Sequence, residues 1–117
     1  MSCNATLDLC RKRGDTFADV FQVKINGVAV NVTGDTFLLT VDPEPEPATA
    51  ANNLFQLVGI LVTPASGIIS FAPSALQADQ TPDTYFYDIE WTRTGSGAGE
   101  VITILSGAYA FNQDITK

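Results

Sequence analysis

Two carboxylates in the stretch TYFYDIEWTR, residues 84–93, have a spacing that acid–base chemistry uses. On a strand, Asp88 and Glu90 point from one face, about 6–7 Å apart by strand rise. Glycoside hydrolysis places its carboxyl pair at about that separation. A solvated strand face produces the same pair by plain alternation, and that reading is preferred. Tyr85, Tyr87 and Trp91 could form a sugar platform, but they belong to the opposite face of the same stretch. At period two beside Ile89 they read as core between two sheets.

The other chemistry-bearing residues lack partners. Glu44, Glu46, Asp79 and Asp83 sit in loop-like stretches, and calcium prefers such oxygen ligands. No loop alternates them as a dedicated site does, so no metal is assigned. The chain has no histidine, which removes the commonest general base and makes a zinc site with Cys3 and Cys10 improbable. The serines have no visible base beside them. GSGAG, residues 95–99, lacks the lysine and the following helix of a phosphate loop. No catalytic residue and no cofactor is therefore expected.

RKRGDTF, residues 11–17, contains Arg13-Gly14-Asp15, a tripeptide that cell-surface receptors read. Three fixed residues recur by chance, and a turn feeding a strand accounts for them. Gly14 permits the bend and Asp15 favours turns.

The elements that would carry these residues are strands. FADVFQVKI, residues 17–25, alternates with Phe17, Phe21, Val23 and Ile25 on one face, and Asp19 breaks that face. Asn26-Gly27 then marks a hairpin turn. Residues 28–32, 36–41, 54–63, 68–71, 84–93 and 100–111 continue the strand pattern, and 74–83 is the one stretch fit for a helical turn. Gly107 inside the last strand signals a bulge or a close backbone approach. Short strands joined by frequent turns predict an all-β, antiparallel sandwich of about seven to eight strands. The whole of 1–117 reads as one domain, with 1–12 as an N-terminal arm or first strand. Residues 43–53 form a loop rich in proline and glutamate.

Totals narrow the function classes. The 117 residues are 45% hydrophobic and 16% charged, enough for a core without staples. The net charge of −7 argues against nucleic acid, which needs clustered lysine and arginine. The longest apolar run, within 54–62, is far too short to span a membrane. The first ten residues lack the basic start and apolar run of a signal peptide. Reduced thiols are the default for Cys3 and Cys10, although a bond between them is open.

The order of motifs carries a resemblance. Arg13 to Thr16 leads into the first long strand, and Val32-Thr33-Gly34 follows. Then come Tyr85-Phe86-Tyr87-Asp88-Ile89, Thr103-Ile104-Leu105-Ser106-Gly107 and a closing Asp114-Ile115-Thr116. This series resembles small virion proteins of tailed bacteriophages, and most of all the N-terminal domain of baseplate upper proteins. The resemblance implies an immunoglobulin-like β-sandwich, a virion location and no catalytic residues. It implies docking to other virion proteins, in the tail, baseplate or fibre-attachment region, with many copies at symmetric positions. Decoration of the head against the major capsid protein is the alternative, and a host-glycan-binding module using Phe86 or Tyr109 is a further one. The proline–glutamate arm departs from the family pattern.

The expected partner-binding residues follow. Leu7 and Leu9 alternate in the N-terminal arm, which adds a strand either to a neighbour's sheet or to its own. Pro43, Glu44, Pro45, Glu46 and Pro47 form a preformed arm that loses little entropy on docking. Phe86 is an apolar ring facing outward among acids.

Overall fold

The computed structural model describes residues 5–44, 53–94 and 99–113. Eleven strand segments run through them. They are β1 (Ala5–Thr6), β2 (Leu9–Lys12), β3 (Asp19–Gln22), β4 (Lys24–Ile25), β5 (Val28–Ala29), β6 (Thr36–Asp42), β7 (Phe55–Val58), β8 (Ile60–Thr63), β9 (Ile68–Phe71), β10 (Asp83–Thr92) and β11 (Val101–Asn112). One short helix, α1 (Ala75–Ala78), falls in the stretch expected to turn. Ser74 and Gln77 close its first turn with a reciprocal capping box.

The strands form a β-sandwich. The larger sheet is ordered β11–β10–β6–β7, with β1 and β2 end to end along the far edge of β11. The smaller sheet is β3–β9–β8, and β4 with β5 makes a separate hairpin. Asn26 and Gly27 at that hairpin's tip have φ of 52° and 78°. Two consecutive positive φ values match the tight turn that suits strand twist.

The expected strand runs become eleven segments because three of them break. The N-terminal run kinks at Leu7-Asp8. The 17–25 run breaks at Val23, and only Asp19–Gln22 joins the small sheet. Phe17 and Ile25 are accordingly exposed, not core. The 54–63 run changes sheets at Gly59. A Cβ there would stand 2.8 Å from Phe37 Cβ and 3.1 Å from the Phe71 ring. The crossing is close because the two sheets meet at this corner.

Pairing is antiparallel, as the short strands and frequent turns predict, except at the chain start. β1 and β2 run parallel to β11, with Ala5 opposite Leu105 and Leu9 opposite Tyr109. Their partners lie about a hundred positions away, so no hairpin dictates direction. Residues 5–12 thus pair within their own chain.

Alternation sets the core. Tyr85, Tyr87, Ile89 and Trp91 of β10 point inward and are buried, as their period-two spacing predicts. Phe37, Leu39 and Val41 of β6 do the same, against Ile69 and Phe71 of the small sheet. The Phe37 and Trp91 rings stack at 5.9 Å, while Tyr87 and Tyr109 meet edge to face. Such contacts add about 0.5–1.5 kcal/mol each beyond burial.

Candidate docking surfaces

The expected contact residues divide between two places. Phe86 is half-buried on the outer face of the large sheet, between Asp42 of β6 and Ala108 of β11. Asp42 leads directly into Pro43 and Glu44, both exposed. The structure therefore brings Phe86 beside the root of the arm. Asp42 is buried; its Oδ1 accepts the Glu44 N–H at 2.8 Å, and among the described residues its Oδ2 has no hydrogen-bond partner. Pro45, Glu46 and Pro47 lie outside the described residues.

Asp88 and Glu90 share the outer face with Phe86, and both are exposed. Asp88 faces Thr40 and Ser106 across the ladder. Partial burial, and then the neighbouring Glu90, push its carboxyl above the usual range. Among the described residues no three His, Cys, Asp or Glu side chains come together to hold a metal.

Leu7 and Leu9 lie elsewhere, on the flank where the large sheet's edge meets β3. Leu9 is half-buried against the core. Leu7 sits in the kink between β1 and β2, its N–H on Ser106 O at 2.9 Å. Its carbonyl accepts the Tyr87 hydroxyl at 2.5 Å. Gly107 lies beneath this kink: a Cβ there would collide with the Leu7 carbonyl. The glycine thus marks a close backbone approach. The bulge is nearby but separate, where Ile104 has no partner between the Ile89–Leu105 and Glu90–Thr103 pairs.

The flank has two halves. At one, Arg11 of β2 is almost wholly buried and bridges the sheets. Its Nε donates to the Tyr109 hydroxyl at 2.7 Å, and Nη2 meets Asp19 Oδ2 of β3 at 2.7 Å. Nη1 donates to the carbonyls of Asp15 and Phe17, and the guanidinium lies 4.2 Å from the Phe17 ring centre. Asp19, which interrupts the apolar alternation, is thus the counter-ion of a buried cation. The Tyr109 hydroxyl is pushed up to about 12, chiefly by desolvation.

The Arg-Gly-Asp turn packs outside this clamp. Gly14 has φ of 85° and donates to Ala78 O at 2.8 Å. Arg13 pairs with Asp79, which precedes the loop into β10, at 2.7 Å.

The other half is open. A groove of about 530 Å³ lies between β3–β4 and the first part of β11. Phe21 and Ile25 form one bank, Ile102 and Ile104 the other, with Ile89 and Trp91 between them. Leu7 reaches its end. Sequence reading missed both halves. Arg11 stands beside Lys12 and Arg13 with nothing in the sequence to set it apart, and the groove joins residues some eighty positions apart.

The comparisons bear on the fold as a whole. No family model matches the chain, and no curated protein matches it. Its fold is similar to that of a solved phage domain. The N-terminal domain of phage TP901-1 ORF48 superposes with a TM-score of 0.57 at 14% identity, over 95% of this chain and 90% of that one. At that identity the likeness is one of fold.

Proposed function

We propose that this chain is a non-enzymatic structural protein of a bacteriophage virion. It works by protein–protein docking in the tail, baseplate or fibre-attachment region. The observation that carries the reading is the shared fold with an N-terminal phage domain along nearly the whole of both chains. The motif order of residues 13–116, which resembles baseplate upper proteins, points the same way. The surface is consistent with docking: apolar side chains such as Val20, Ile60 and Val58 stand exposed on the outer faces of both sheets. In this reading 1–117 is one docking domain and the particle holds several copies at symmetric positions.

Immuno-electron microscopy of purified virions tests it. Label is expected at the tail tip or baseplate. Label on the head would transfer the protein to capsid decoration, and unlabelled particles would remove it from the virion.

A further inference from the structure

The outer face of the small sheet carries no charged side chain. From Pro47 to Ala78 the chain has no Asp, Glu, Lys or Arg, so its 6 basic and 13 acidic residues all lie elsewhere. β8 and β9 fall wholly within that stretch. Across the sheet one outward row reads Val20, Ser70, Ile60, and the next reads Gln22, Ile68, Thr63. Val20 is 61% exposed and Ile60 60%, while Ser70 is buried between them. Val62, the extra residue of a bulge in β8, is 54% exposed. The face is thus a layer of methyl groups in water. The segments outside the described residues leave the chain at Ala5 beside Leu105, at the β6–β7 and β10–β11 turns and after Gln113. All of these points stand on the large sheet, the layer behind this face.

Charge says which partner suits it. At a net charge of −7, two copies repel one another wherever acids face acids. The outer face of the large sheet presents Asp88 and Glu90 beside Phe86, with Glu44 at its rim. Two copies meeting there would oppose like charges, and a basic partner would be drawn there instead. The small sheet's face offers a foreign chain no charge to read, and a second copy reaches it without a like-charge contact.

We propose that this face is a contact between two copies of the chain, packed sheet on sheet about a two-fold axis. Val20, Ile60 and Val62 of one copy lie against the same patch of the other. Three strands of four residues measure about 14 Å by 13 Å. Such a face buries on the order of 400 Å² per copy, about half of a standard interface. The pair is therefore weak in free solution, with a dissociation constant on the order of 100 μM, and it strengthens where a particle holds the copies close together. The inference rests on the virion reading above for that last step alone, and the contact itself is tested in solution.

The test follows the amide NMR spectrum and the sedimentation of the purified chain from about 20 μM to about 1 mM, a range that brackets the expected constant. The expected result is a mass that rises toward twice that of one chain, with concentration-dependent shifts centred on Val20, Ile60, Val62 and Ser70. Ile60→Glu sets two carboxylates into the contact and raises the dissociation constant at least about tenfold. Thermal melting verifies its folding, and Ile60→Thr, which keeps the β-branch, replaces it if it does not fold. A mass that stays that of one chain up to the highest concentration would overturn the proposal. So would shifts centred on Phe86 or Ile102, or an association indifferent to both substitutions. Absence of the protein from virions would remove the structural-protein reading and leave this contact standing, so the two failures are read from separate experiments.

Discussion

The two halves of one flank solve the same problem in opposite ways. Where β2 faces β3, a buried arginine closes the gap with hydrogen bonds to Tyr109, Asp19 and two carbonyls. Where β11 faces β4, apolar side chains line a groove that nothing among the described residues fills. A polar seal is specific and brittle, since each buried donor needs its acceptor. An apolar trough makes no such demand on geometry. The first half ties β2 to β3, and the second lies beside it as an apolar groove.

The sealed half should break hardest. Arg11→Ala strips Asp19 and the Tyr109 hydroxyl of their buried partner. A loss of about 3 kcal/mol is expected, read by urea unfolding. Next is Gly107→Ala, whose Cβ meets the Leu7 carbonyl, a backbone atom that cannot swing aside. It should cost about 2 kcal/mol and loosen β1, visible as faster amide exchange at Leu7. Tyr109→Phe keeps the ring and removes one acceptor, for about 1 kcal/mol.

Alkaline pH sharpens the same contrast. The Tyr109 hydroxyl titrates near 10 unfolded and near 12 folded. Its folded form therefore holds its proton more tightly. The stability linked to it is complete below pH 10 and falls as pH rises from 10 to 12. Tyr109→Phe should make that decline shallower in a pH series of melting temperatures, while Tyr87, whose hydroxyl burial also pushes up, keeps the rest.

The open half should respond least. Ile102→Ala removes half-buried surface that packs no seal, and about 1 kcal/mol is expected. Asp88→Asn, on the outer face away from both halves, should fall within about 0.5 kcal/mol. A slight gain is expected, because its carboxyl is held above the usual range by burial and by Glu90.

What the sequence disclosed follows from period. The inward faces of β6 and β10, the Asn26-Gly27 turn and the close approach at Gly107 are local signals. Period-two alternation, paired positive φ and a lone glycine in a strand each have one physical cause. Gly59 was hidden because an unbroken apolar run reads the same whether it stays in one sheet or crosses to another. The parallel lane of β1 and β2 was hidden because its register depends on residues about a hundred positions away. Arg11 could not be told from its neighbours Lys12 and Arg13 by type, and only burial against Tyr109 separates them. Of the expected contact residues, Phe86 lies with Pro43 and Glu44 on one face while Leu7 and Leu9 lie on the flank. One strand's alternation carries no information about which surfaces adjoin in space.

The central claim is that this protein is a docking component at the tail of a virion. Quantitative mass spectrometry of purified particles, set against the major capsid protein, tests it most directly. The account predicts a copy number far below that of the capsid protein and matched to a ring or a set of spikes. A number comparable to the capsid protein, or no copies at all, would contradict it.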